Sequence, residues 1–341
     1  MKTVPRLLDT FIPNHYALTL DLTRAEEKSF SGTVIISGES TGESISLHAK
    51  DLTIQSASID DQPAEFSHGE FDELRLSRPD LSSGQHTVRI DFSGAITDAM
   101  HGLYPCYFTH DGVKKQLFAT QFESHHAREV FPCVDEPEAK ATFSLEIKAL
   151  SDLEVLSNTE IVEKNENGNT QQVRFAKTPK MSTYLLAFVL GDFQRVSKKT
   201  KSGVEVSVLA TKAQKSELME FPLSFAVRVL EFYEDFFGQK FPLLKCDHIA
   251  LPDFSSGAME NWGLITYRET TLLAGKNSSI SSKKYVALVI AHETSHQWFG
   301  NLVTMKWWDE LWLNESFATM MEYLATDALH PDWRQWDEFA N

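Results

Sequence analysis

Tyr285-Val286-Ala287-Leu288-Val289-Ile290-Ala291-His292-Glu293-Thr294-Ser295-His296 is an apolar run, free of proline and glycine, that ends in two histidines four residues apart. Such a run predicts a buried helix. On a helix, positions i and i+4 stand one above the other with Cβ atoms roughly 5–6 Å apart, so His292 and His296 can bind one cation side by side. Glu293 leaves on an adjoining face. From there its carboxylate can reach water beside that cation without binding the cation itself, the placement a general base needs.

Glu315 follows His296 after 18 intervening residues, inside a second helix-like segment, Leu311-Trp312-Leu313-Asn314-Glu315-Ser316-Phe317-Ala318-Thr319-Met320-Met321-Glu322-Tyr323-Leu324. Packed antiparallel on the first helix, this segment can supply a third ligand. In a chain with 12 histidines an H-E-x-x-H arises by accident often enough that the third ligand carries the argument. Two histidines, one glutamate and an open fourth position describe a catalytic zinc, whereas structural zinc is closed by four ligands, usually rich in cysteine. The expectation is one Zn2+ per chain on His292, His296 and Glu315, with Glu293 as the catalytic base.

Working outward, Leu223, Ala226, Val227, Leu230, Tyr233 and Phe237 keep helical spacing and stop at Gly238, a C-terminal cap residue. Ile249-Ala250-Leu251 and Leu264-Ile265-Thr266-Tyr267 read as strands, which makes the region an α+β domain. From about Asn14 to Leu190 the period is two instead: Tyr16, Leu18, Leu20, Leu22; Val88, Ile90, Phe92; Phe143, Leu145, Ile147, with turn signals such as Ser83-Gly84 and Asn167-Gly168. That pattern predicts an all-β antiparallel sheet domain over residues 1–190 and the α+β domain over 191–341. Lys198-Lys199-Thr200-Lys201-Ser202-Gly203 reads either as part of the junction or as one more hairpin loop. Pro331 to Asn341 resembles the opening of another helix, with Trp333 and Trp336 three apart and nothing after them to pack on. Either it caps the fold or the natural protein continues.

A net charge of −16 argues against nucleic acid or an anionic membrane as partner. Cys106, Cys133 and Cys246 are odd in number and widely spaced, so buried free thiols are expected rather than disulfides. No stretch approaches the roughly 20 apolar residues that span a bilayer. The chain reads as soluble and cytoplasmic.

Gly257-Ala258-Met259-Glu260-Asn261, the H-E-x-x-H with Glu315, and Thr120-Gln121-Phe122-Glu123 followed by Phe131-Pro132-Cys133-Val134-Asp135-Glu136-Pro137 together resemble the zinc aminopeptidases of the aminopeptidase N family, most closely its bacterial lysyl type. The resemblance implies a β-sheet N-terminal domain followed by a thermolysin-like peptidase domain, and peptides with a free N-terminus as substrates. In that setting Gly257 lets a substrate strand approach, the pentapeptide offers an edge strand for it to pair with, and Glu260 presents a carboxylate to the α-ammonium. The resemblance also makes Glu123 a second amine anchor, has Gln121 line the same pocket, and has Glu322 accept the other N–H of a zinc histidine. Thr294 and Ser316 depart from the family pattern, where an apolar residue and a glycine are usual.

The tyrosine with which the family binds the tetrahedral oxyanion falls several dozen residues beyond the glutamate ligand, and this chain stops 26 residues after Glu315. Tyr323 is too close and is expected to pack on its helix. The chain is therefore read as the N-terminal portion of such an enzyme. Its rivals are a zinc endopeptidase or an epoxide hydrolase on the same scaffold, and a zinc- and peptide-binding fragment with little turnover. Glu260 argues against the endopeptidase, since an internal peptide bond brings no ammonium.

Overall fold

A computed structural model describes residues 4–339. Ala340 and Asn341, the end of the stretch expected to open a helix, lie outside them. The chain divides into two compact units, one comprising the residues up to Pro105 with Phe118–Val155 and Glu160–Val189, the other Cys106–Leu117, Leu156–Thr159 and the residues from Leu190 on.

The first unit is built of strands. Its eight-stranded sheet runs in the order Ile161–Asn167, Thr170–Phe175, Thr142–Leu150, Phe11–Asp21, Ser29–Ser40, Gly84–Ala95, Leu52–Ile59, Gln62–Pro63. The period-two positions form rows across it: Phe143, Tyr16, Ile36 and Val88 in one, Leu145, Leu18, Val34 and Ile90 in the next. All eight side chains are at most 3 % exposed, so this face is the core. In the third row Ile147, Leu20 and Phe92 meet Gly32, where a Cβ would lie 2.8 Å from the Phe92 ring. The pairing is antiparallel throughout this sheet except between Phe11–Asp21 and Thr142–Leu150, which run parallel. Alternation reports which face is buried and carries no information about strand direction.

The Phe131-Pro132-Cys133-Val134-Asp135-Glu136-Pro137 segment is a buried knot in this unit. Asp135 accepts from Arg128 Nε at 3.1 Å and from Thr183 Oγ1 at 2.7 Å, and Glu136 accepts from the Leu7 N–H at 2.5 Å and Arg6 Nε at 2.6 Å. His48, also buried, accepts the Asp135 N–H on Nδ1 at 3.1 Å. All three cysteines are buried thiols outside any disulfide among the described residues.

The second unit carries a five-stranded sheet in the order Phe193–Lys199, Glu205–Thr211, Lys245–Leu251, Leu264–Arg268, Ala258–Met259. The basic stretch 198–203 proves to be a hairpin loop, since Phe193–Lys199 and Glu205–Thr211 pair antiparallel. The next two pairings are parallel, and helix α1 (Glu220–Phe237) makes the crossover between Glu205–Thr211 and Lys245–Leu251, as a parallel connection requires. Gly238 ends α1 in the left-handed conformation, φ 63°. A short helix α2 (Glu269–Leu272) leads to α3 (Ile280–Ser295), which Ser279 caps by accepting the Ser282 N–H, and then come α4 (Trp312–Leu329) and α5 (Gln335–Phe339).

Helix α3 is longer than its apolar run and buried on one side only, with Val286, Ala287, Ile290 and Ala291 inside and Tyr285 53 % exposed. It also ends sooner than expected: His296 is the residue after the last helical one, in continued right-handed conformation. Trp333 packs on His330 and Phe221, while Tyr323 meets Trp336 and Phe339, so the terminal tryptophans do find partners. No helix among the described residues is long and apolar enough to cross a membrane.

Candidate metal centre

Three contacts set α3 and α4 antiparallel: Lys284 Nζ to the carbonyl of Trp333, just beyond the end of α4, His292 to Glu322, and His296, just beyond the end of α3, to Glu315. Tyr233 of α1 locks the pair. Its hydroxyl lies 3.0 Å from the carbonyls of both Ala291 and Met321, one on each helix and each next to a site residue.

Each histidine is held from behind. His292 Nδ1 donates to Glu322 Oε2 at 2.7 Å, and His296 Nδ1 donates to the Phe299 carbonyl at 2.9 Å. With the proton fixed on Nδ1, the ligating nitrogen is Nε2. The two Nε2 atoms converge to 3.0 Å, with Glu315 Oε2 at 3.3 Å from His292 Nε2 and Oε1 at 3.7 Å from His296 Nε2. A ligand atom from each of the three residues falls within 4.8 Å of the others.

The local field favours positive charge. Burial works against a charged imidazole, yet the hydrogen bonds it donates to Glu315 and Glu322 and the charge of Glu293 push His292 up to about 11. His296 is likewise lifted to about 9 against its burial, by Glu260, Glu315 and Glu293. Burial opposes ionisation of Glu315 as well, but the two histidines hold it well below the ordinary carboxylate range. Two imidazole nitrogens and a carboxylate that converge where the field attracts cations could hold a divalent metal ion.

Glu293 is 6 % exposed, and its Oε2 has no hydrogen-bond partner among the described residues. Burial and the nearby carboxylates Glu260 and Glu315 raise it to about 8, although both histidines pull the other way. Glu260, 3 % exposed, is in the same condition: its Oε1 lacks a partner among the described residues, and burial raises it. Such orphaned buried carboxylate oxygens are costly unless something else fills the space beside them.

The pentapeptide lies where an edge strand was expected. Ala258 and Met259 pair antiparallel with Tyr267 and Thr266 at the end of the sheet. Gly257 accepts from the Arg268 N–H and Thr271 Oγ1, and a Cβ there would meet only Thr271 Cγ2, at 3.9 Å, so nothing around it crowds the position. Asn261 is buried and donates to Thr266 Oγ1 at 3.1 Å. Gln121, at the end of the strand Val113–Gln121, and half-buried Glu123 belong to the first unit.

Two residues escaped the sequence reading. Gln297 Nε2 donates to the Glu260 carbonyl at 3.0 Å and to the Glu293 carbonyl at 3.2 Å, while its Oε1 accepts the Gly263 N–H at 3.2 Å. Asn301 Nδ2 donates to the same Glu260 carbonyl at 2.8 Å. These buried amides tie the Glu260 segment to the end of α3. Their signal was two amides in the apolar, aromatic stretch immediately after His296. At the two departures from the family pattern, Thr294 is buried with its hydroxyl returned to the Ile290 carbonyl at 2.6 Å, and Ser316 is exposed.

Comparison with known proteins shows two family matches, the peptidase M1 N-terminal domain over residues 12–185 and the peptidase family M1 domain over residues 221–341. Among curated proteins, an aminopeptidase N of Lactococcus lactis subsp. lactis is 52 % identical over 343 residues, covering 99 % of this chain and 40 % of its own length. An aminopeptidase N of Lactobacillus helveticus is 48 % identical over 98 % of this chain, and an aminopeptidase M1 of Arabidopsis thaliana is 42 % identical over 99 %. The chain spans about two fifths of the length of these relatives.

Proposed function

The chain belongs to peptidase family M1, and from that premise we propose that it carries the metal centre and amine-binding strand of a zinc aminopeptidase, which removes the N-terminal residue from peptides. The observation that carries the reading is the convergence of His292 Nε2, His296 Nε2 and the Glu315 carboxylate, each histidine pinned through Nδ1, beside the unpartnered Oε2 of Glu293. His292, His296 and Glu315 would hold one Zn2+. Bound there, the metal supplies a Lewis acid that polarises the scissile carbonyl and acidifies the attacking water.

Glu293 Oε2 takes the proton of that water and delivers it to the nitrogen of the leaving amine. Glu322 keeps the His292 ring in its ligating tautomer. Glu260 Oε1 accepts the charged α-amine of the substrate, while the free edge of Ala258–Met259 pairs with the substrate backbone. The roles of Gln121 and Glu123 as pocket wall and second amine anchor rest on the family resemblance alone. Fixing a charged amine at one distance from the metal limits cleavage to the first peptide bond.

The test compares a free-amine peptide with its N-acetylated form, using Glu293→Gln as the blank for contaminating activity. Selective hydrolysis of the free amine, lost in Glu293→Gln, is expected. Equal cleavage of both peptides would overturn the amine-binding role of Glu260 in favour of an endopeptidase, and no cleavage with full zinc occupancy would show that this stretch, about two fifths of the length of its relatives, holds the metal without turning peptides over.

A further inference from the structure

We infer that His101, His126 and Glu129, in the first unit, form a second site for a divalent transition metal of the zinc, cobalt or nickel class. These residues have no part in the function proposed above. His101 Nδ1 lies 2.8 Å from Glu129 Oε2, and His126 Nδ1 lies 3.0 Å from Glu129 Oε1. One ligand atom from each residue falls within 4.8 Å of the others, the same closeness found at His292, His296 and Glu315. Two imidazoles and a carboxylate suit borderline cations better than magnesium or calcium, which take oxygen ligands.

The backbone brings these groups together at some cost. His101 stands between two residues of left-handed conformation, Met100 at φ 56° and Gly102 at φ 64°. Such a conformation is uncommon at a residue other than glycine. A Cβ at Gly102 would lie 2.9 Å from Glu129 Oε2, so the loop closes directly over the carboxylate. The imidazoles of His101 and His126 stack with centroids 4.1 Å apart, which keeps both rings on the same side of the Glu129 carboxylate. His101 is 37 % exposed, His126 20 % and Glu129 12 %, so an ion can enter and water can complete its coordination.

The competing reading is a plain hydrogen-bonded network around Glu129, which Lys50 Nζ joins at 2.9 Å from Oε1. The two readings give Lys50 opposite signs. In a plain network its ammonium stabilises the carboxylate; beside a bound dication it is a like charge that weakens binding.

The test is zinc stoichiometry by equilibrium dialysis of the metal-stripped chain, with circular dichroism to confirm folding. The parent should bind two ions, His296→Ala one, the His101→Gln/His126→Gln double variant one, and their combination none. In the His296→Ala background, Lys50→Met should tighten the remaining site by roughly tenfold, the size of a Coulomb repulsion across several ångströms of water. Should the double variant misfold, zinc protection of His101 and His126 in the parent against diethyl pyrocarbonate, read by mass spectrometry with exposed His68 remaining reactive, replaces that arm. A zinc count that the double variant does not lower, or labelling of His101 and His126 indifferent to zinc, overturns the site. Loss of zinc with His296→Ala but not with the double variant would leave the function proposed above intact and dismiss only this one.

Discussion

Replacing Glu322 tests whether the metal centre depends on what lies behind its ligands. The Glu322 carboxylate accepts from His292 Nδ1 at 2.7 Å, with the side chains 15 % and 18 % exposed. A hydrogen bond to a charged group is worth about 1.5–3 kcal/mol net, and loss of a partner that orients a ligating histidine costs about 10- to 100-fold in metal affinity. Limited access for water puts Glu322→Leu toward the upper end, about 100-fold. Glu322→Gln keeps an acceptor oxygen but not its charge, so its loss should be about tenfold or less. Zinc affinity measured by competition with a chromophoric chelator at pH 7.5 reads both values, and circular dichroism controls for α4. An affinity of Glu322→Leu within twofold of the parent would refute the reasoning, because His292 would then need no support from behind.

Tyr233→Phe removes the hydroxyl shared by the Ala291 and Met321 carbonyls. Both carbonyls belong to helices, so a loss of about 1 kcal/mol is expected in urea unfolding, and a neutral result would show that the hydroxyl does not lock α3 to α4. Asp135→Ala takes from the Arg128 guanidinium, only 10 % exposed, one of its two carboxylate partners and leaves it Asp72 and the residue-135 carbonyl; a loss of about 1–3 kcal/mol is expected, and an unchanged stability would contradict the account of the buried knot. His48 is held down to about 3, first by burial and then by the charge of Arg128. Above its unfolded value near 6.5 it is neutral in both states, and as pH falls the unfolded chain gains a proton that the folded one refuses. Stability should therefore fall by about 2 kcal/mol between pH 6.5 and 5 from this residue; an equally steep acid limb in His48→Gln would assign the loss elsewhere.

Helices α3 and α4, the crossover helix ending at Gly238 and the buried rows of the large sheet were all legible, because period and punctuation are local properties of sequence. What was not legible is non-local. The parallel pairing of Phe11–Asp21 with Thr142–Leu150 leaves the same alternation as an antiparallel one. The grip of Gln297 and Asn301 on the Glu260 carbonyl depends on where a strand edge falls relative to a helix end. His101, far from His126 and Glu129 along the chain, meets them only after folding. The early end of α3 at Ser295 was missed for a different reason: Thr294, Ser295 and His296 carry no glycine or proline to announce it.

The parallel pair has a consequence for synthesis. Phe11–Asp21 can zip to Ser29–Ser40 almost as soon as both have emerged, but its other flank waits for Thr142–Leu150, roughly 120 residues later. At about 5–20 residues per second the ribosome leaves that flank open for roughly 6–24 s. During that interval a nascent chain presents an unpaired edge backed by Tyr16, Leu18 and Leu20, the kind of surface that recruits holdase chaperones or seeds association between neighbouring chains on a polysome. Slow codons placed after residue 150 would let this flank close before the residues from Leu190 on appear, whereas slow codons between residues 22 and 141 would prolong its exposure.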